Sequence, residues 1–199
     1  IPAELYYNFG PLLAKEIIKN GKMEALNTAL FGYVNNGLNT LPTSEQIYEP
    51  DKFFTDERYE ELVVNTIEVD GFILIDEGSV GALDLVYLMQ DKIGQKNAVN
   101  AAIGIGGGAW KDYVNDSGEL LMTLKISGDD STELQEIYDA FILWAETQSR
   151  FNSGESLVGG NLLTGKTNFW ISKDQSYIRI VLSQNLDLLN SISNQLKDF

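Results

Sequence analysis

The residues Gly160-Asn161-Leu162-Leu163-Thr164-Gly165-Lys166-Thr167 match the phosphate-binding pattern G-x-x-x-x-G-K-[ST] at every position. In that chemistry backbone amides cradle the phosphates, the lysine reaches the β and γ groups, and the threonine hydroxyl holds magnesium. Glycine makes up about 7% of an average chain, so a chance match somewhere in a chain this long has a probability of roughly 1%. The chemistry also needs a buried strand before the loop and a helix after it, because the amides that meet the phosphates belong to a helix N-terminus. Here Gly154–Gly160 is polar and glycine-rich, Asn168–Ser172 reads as a strand, and only 32 residues follow Thr167. That remainder is too short for the later strand whose aspartate orders magnesium. The expectation is a loop entering a hairpin, with nucleotide binding at 160–167 the weakest of three functional readings.

A second glycine run, Gly104-Ile105-Gly106-Gly107-Gly108, lacks the G-x-G-x-x-G spacing of a dinucleotide site. Trp110 and a strand follow it where that site needs a helix, so it reads as a connection in which side chains do not fit. Among the acids, Asp129-Asp130 sits beside Ser131 at a helix start, and Asp76-Glu77 ends a strand. Neither matches the spaced oxygen ligands of a calcium loop. Asp130 reads as a helix cap, and Asp76 and Glu77 as solvated charges, with weak cation binding on the acidic surface left open. Carboxylate-pair hydrolysis needs two acids about 5–10 Å apart, one with a raised pKa. The 29 Asp and Glu supply many pairs, and no spacing selects one. Catalytic and metal-binding residues are therefore unassigned, and no cofactor-binding set is identified. Phe169 and Trp170 face opposite ways if they lie on a strand, which makes one of them a candidate for an exposed ring that stacks on a sugar or a partner.

Composition removes most other chemistry. Without cysteine there is no disulfide, thiolate nucleophile or zinc–sulfur site. Without histidine there is no Ser-His-Asp triad, imidazole base or imidazole-bound metal. Against the 29 acids stand 14 Lys and Arg, a net charge of −15, and the three arginines (Arg58, Arg150, Arg179) are widely separated. Nucleic acid and anionic membranes need clustered cations and are disfavoured partners, whereas basic proteins, metal cations and neutral ligands stay open. No stretch approaches the ~20 apolar residues of a membrane span. The chain starts at Ile1 rather than Met, as a processed or trimmed chain would. Its cysteine-free, Asn- and Tyr-rich make-up is compatible with export, a lean toward an extracytoplasmic or secreted protein that leaves the location unassigned.

Positioning these residues falls to a mixture of helices and hairpins. After Gly10-Pro11 a helix carries Leu12, Leu13 and Ile17 and stops at Asn20-Gly21. A second carries Met23, Leu26, Leu30 and Val34 and ends at Asn35-Asn36-Gly37. Residues 38–54, with Pro42 and Pro50, form a loop, and Thr55 caps a short acidic helix with Glu57, Glu60 and Glu61. From residue 62 one unit recurs three times. Val63–Val69 and Phe72–Asp76 flank the hairpin signal Asp70-Gly71, followed by a helix at about Ser79–Ile93 with Gly94 as its stop. Trp110–Val114 and Glu119–Ser127 flank Asn115-Asp116-Ser117-Gly118, followed by a helix from Asp130-Ser131-Thr132-Glu133 carrying Leu134, Ile137, Phe141 and Trp144. Thr167–Ser172 and Tyr177–Ser183 flank Lys173-Asp174-Gln175-Ser176, followed by a helix at about Asn185–Lys197.

The predicted class is α+β: a mainly antiparallel sheet built from three β-hairpin–helix units, helices on one face, preceded by an N-terminal helical segment. Residues 1–199 read as one domain, 1–61 helical and 62–199 the three units. The expected function is a non-enzymatic binding or assembly domain whose partner is another protein or a second copy of itself. The alternative is a carboxylate-dependent hydrolase acting on glycans or similar neutral substrates. A concave pocket with two close acids would mark the enzyme, and an apolar patch or open sheet edge the binding domain.

Overall fold

A computed structural model describes residues 3–36, 43–49, 51–52, 59–148, 155–157, 159–192 and 195. Along the chain run α1 (Ala3–Asn36), a 3-10 turn at Glu45–Ile47, β1 (Phe72–Ser79), α2 (Ala82–Ile93), α3 (Gln95–Ala102), β2 (Ile105–Asn115) and β3 (Leu120–Gly128). Then follow α4 (Ser131–Glu146), β4 (Glu155–Leu157), β5 (Gly160–Leu163), β6 (Asn168–Lys173), β7 (Tyr177–Ser183) and α5 (Leu186–Ser191). The strands make one seven-stranded sheet in the order β1-β2-β3-β7-β6-β5-β4, every neighbouring pair antiparallel. The α+β class, the antiparallel sheet and the helical N-terminal segment are as the sequence implies. The hairpin plan is altered.

Two of the three expected hairpins form, each around a side chain that caps its own turn. Asn115 Oδ1 accepts the Ser117 and Glu119 amides at 3.0 and 2.9 Å between β2 and β3. Asp174 Oδ1 accepts the Ser176 and Tyr177 amides at 2.7 and 2.8 Å between β6 and β7, while Arg179 donates to its other oxygen at 2.6 Å. The first hairpin is a correction. Gly71 adopts φ +77° and the Phe72 amide closes onto the Val69 carbonyl at 3.1 Å, so the turn exists. The segment before it does not pair with β1, which instead lies against β2 with Phe72 opposite Asn115. The reason is in the burial pattern: Val64 and Ile67 are buried while Val63 is 70% exposed. A three-residue interval is not the two-residue period of a strand. The segment crosses the sheet face instead, held by side chains. The Ile67 amide donates to the Tyr113 hydroxyl (3.3 Å), Lys111 Nζ donates to Thr66 Oγ1 (3.0 Å), and Gln195 exchanges two bonds with the Glu68 backbone (3.0 and 2.8 Å).

Both faces of the central strands are therefore covered. On one, Leu85, Met89, Ile137, Phe141 and Trp144 from α2 and α4 pack with Leu124, Ile126, Phe169, Ile171 and Ile178. On the other, Val64, Ile67, Leu188, Leu189 and Ile192 pack with Tyr113, Leu121, Trp170 and Val181. The helices do not share one face, contrary to the expectation, because α5 takes the opposite side. Asn185 caps it by accepting the Leu188 amide at 3.1 Å, and it ends at Ser191; Leu196 and Lys197 lie outside the described residues. At the other terminus α1 begins at Ala3 rather than Pro11 and breaks at Lys22 (φ 59°, ψ −167°) rather than at Asn20-Gly21. Thr55 and Glu57 lie outside the described residues, and Tyr59–Glu61 carry no helix. Gly94 (φ +84°) does end α2, yet it also opens α3, which the pattern did not suggest.

The glycine run at the entry to β2 is where three chain segments cross. A Cβ on Gly107 would fall onto the Glu60 carbonyl, and one on Gly108 would sit 3.0 Å from both the carbonyl oxygen and the Cβ of Val80. The bare backbone is used directly: the Tyr59 hydroxyl donates to the Gly108 carbonyl at 2.7 Å and accepts its amide at 3.2 Å. The sequence reading of this run as a connection is corrected, since Ile105–Gly108 belongs to β2, but the reason for its glycines, that side chains do not fit, holds at Gly107 and Gly108. Gly107→Ala is expected to lower stability by about 1–3 kcal/mol, the usual cost of forcing extra volume into a packed site. Urea unfolding at unchanged m-value measures it, and Gly10→Ala, with open space around it in α1, serves as a control that leaves stability unchanged or raised.

Candidate functional site

The phosphate-loop look-alike is folded as sheet. Gly160–Leu163 is β5, Asn168 opens β6, and Lys166 and Thr167 occupy the bend between these paired strands. A strand, β6, and not a helix follows Thr167 directly, so neither side chain stands at a helix N-terminus. Phe169 and Trp170 do face opposite ways, but each is only 1% exposed. Neither is a free stacking platform, because a second layer covers the face that a one-sided sheet would leave open. Trp144 meets Phe169 with ring centroids 6.0 Å apart, and the Trp170 indole lies where a Cβ of Gly160 would be.

Asp130 caps α4, its Oδ1 accepting the Thr132 and Glu133 amides at 2.7 and 3.0 Å. Asp129 Oδ2 lies 2.7 Å from Lys52 Nζ, which also donates to the Ile103 carbonyl and stands 3.8 Å from Glu45. This largely buried lysine fastens the chain preceding the sheet to the entry of α4. Among the described residues no group of three or more acidic side chains converges to hold a metal ion.

The acids at 76 and 77 lie in a different setting. Among the described strands β1 pairs with β2 alone, and every residue from Ile73 to Ser79 is exposed. Ile73, Leu74 and Ile75 are 66%, 41% and 51% exposed. The register shifts between Leu74 and Asp76, so Ile75 bulges from the ladder. Further along, the Glu77 amide donates to Asp76 Oδ1 at 2.9 Å. Glu77 Oε2 in turn lies 3.3 Å from Lys111 Nζ. An exposed edge of this kind offers unpaired backbone groups to another strand.

Each face of the edge has its own chemistry. On the helix-bearing face Asp76 lies directly opposite Asp112 in the β1–β2 register. Burial, and then the neighbouring Asp76 charge, push the Asp112 carboxyl above the usual carboxylate range. On the other face Leu74 lies opposite Tyr113, beside a shallow groove of about 440 Å³ walled by Ile67, Glu68, Val69, Phe72, Leu74 and Tyr113. No family model, no curated protein and no solved structure matches the chain.

Sequence reasoning missed Asp112 altogether and took Phe72–Asp76 as the inner half of a hairpin. The available signal was the unalternating run Phe72-Ile73-Leu74-Ile75, apolar on both faces. Such a run does not distinguish a central strand from an edge. One consequence is measurable. The raised pKa means that the neutral Asp112 side chain is favoured in the fold, so this contribution is present at low pH and lost as the pH rises through the folded value. Asp112→Asn is expected to stabilise the protein by about 0.5 kcal/mol at pH 7, the scale of a like-charge cross-strand pair. That gain should vanish in urea titrations at a pH low enough to protonate the wild-type carboxyl.

Proposed function

We propose that this is a non-enzymatic binding domain that takes an extended segment of another protein onto the edge of β1. The observation that carries the reading is the exposure of Ile73, Leu74 and Ile75 on a strand paired on one side. Strand addition draws affinity from main-chain hydrogen bonds and selectivity from the pockets beside them. Here the groove at Leu74 and Tyr113 and the acids at Asp76 and Asp112 supply the two faces of selectivity.

A random eight-residue display library selected on the protein tests this. Enriched peptides are expected to protect the Phe72–Ser79 amides from hydrogen exchange and to bind at least tenfold more weakly to Glu77→Pro. That substitution removes an amide bonded to Asp76 rather than to β2, so the β1–β2 ladder survives it. Peptides that protect other segments contradict strand addition. A second reading, the carboxylate-dependent hydrolase, is favoured by one observation, the opposed Asp76 and Asp112 with one raised carboxyl. It requires glycan hydrolysis that Asp112→Asn abolishes; no turnover across a panel of neutral glycans would end it.

A further inference from the structure

Resting on that reading of β1, we infer that the segment it accepts is cationic as well as apolar. The geometry points to a strand that sets Lys or Arg over Asp76 and Asp112 and apolar side chains toward Leu74 and Tyr113. Side chains of a strand alternate between faces, and neighbours across a sheet fall in rows. A residue of an added strand placed beside Asp76 would stand in one row with Asp76 and Asp112, two like charges that no described ion pair engages. The next residue along would turn to the other face, where Leu74, Phe72 and Tyr113 wall the groove with Glu68 at its rim. The nearest cation on β2, Lys111, is already held by Glu77 and Thr66. The cation must come from the partner.

Asp76 also acts at the backbone. Its carboxylate occupies the Glu77 amide, so the edge is stoppered there while Ile73–Ile75 stay open. A lysine or arginine that draws the Asp76 carboxylate to itself releases that amide for a carbonyl of the incoming strand. A neutral strand has nothing to offer the carboxylate and must leave the stopper in place. A second copy of this chain is disfavoured on the same grounds. Centring Ile75 on Ile75 of another antiparallel β1 would set Asp76 against Leu74 and Glu77 against Ile73, with no cation supplied. It would also join two bodies of net charge −15.

The test uses two synthetic eight-residue peptides, one alternating lysine and valine, the other threonine and valine, at physiological ionic strength. Each is titrated into the wild-type protein, an Asp76→Asn/Asp112→Asn double variant and Glu77→Pro, with binding read by calorimetry and location by amide exchange. The lysine peptide is expected to protect Phe72–Ser79 and to bind at least tenfold tighter than the threonine peptide. The double variant, which keeps an amide oxygen for the Glu77 N–H, should erase that ratio. Equal binding of the two peptides, both protecting β1, overturns the cationic partner while leaving strand addition standing. Lysine-peptide binding without protection of β1 is diffuse attraction to the acidic surface and overturns the inference. Protection of β1 by neither peptide counts against strand addition itself. A dimer with β1 protected in the absence of peptide assigns the edge to a second copy and overturns the inference as well.

Discussion

The central strands of this sheet are buried on both faces, and the rest of the architecture follows from that. β3, β6 and β7 carry large apolar side chains up and down, with Phe169 and Trp170 as adjacent residues in separate cores. An antiparallel sheet with alternating polar residues needs one cover. This one needs two. α2, α3 and α4 provide the first, whereas the second is assembled from α5 and the extended segment that ends at the Val69–Phe72 turn. Because that segment lies across the face, it is not available to pair with β1.

The edge is thus a by-product of the second core. Beyond Phe72, which still packs against the second core, β1 leaves the cover of the layers, so Ile73, Leu74 and Ile75 remain exposed and Asp76 faces Asp112 across the strand pair. Natural edge strands are commonly guarded by charge and by bulges that spoil a continuous ladder. Both devices occur here, the bulge at Ile75 and the carboxylate at Asp76. They guard unevenly. A charge that repels an acidic strand attracts a basic one, so a guard against like chains becomes a selector among unlike ones.

Much of the framework was legible from residue patterns. The hairpins around Asn115-Asp116-Ser117-Gly118 and Lys173-Asp174-Gln175-Ser176 depend on local turn chemistry, and Asp130 caps α4 through contacts two and three residues away. The glycine run was recognisable as a place where side chains do not fit, although neither its membership of β2 nor what approaches it was. What failed was non-local. Asp70-Gly71 makes its turn whichever partner the flanking segment takes, so the turn signal did not decide the pairing. β5 was hidden because Gly160 is covered by the Trp170 indole, and that packing contact has no signature in the motif. The candidate site was less legible than the fold. Asp76 and Asp112 are 36 positions apart, and only the β1–β2 register brings them together.

The claim on which the rest depends is that β1 is open, and native-state hydrogen exchange of the unliganded protein tests it most directly. Amides at the fraying end of a sheet exchange through local openings of small free energy, whereas core strands approach the global limit. An open edge predicts exchange from Ile73 to Glu77 at least ~100-fold faster than from Leu121 to Ile126 of β3, at concentrations where the protein is monomeric. Protection of β1 equal to that of β3 under those conditions would mean that the edge is already covered, and would contradict the claim.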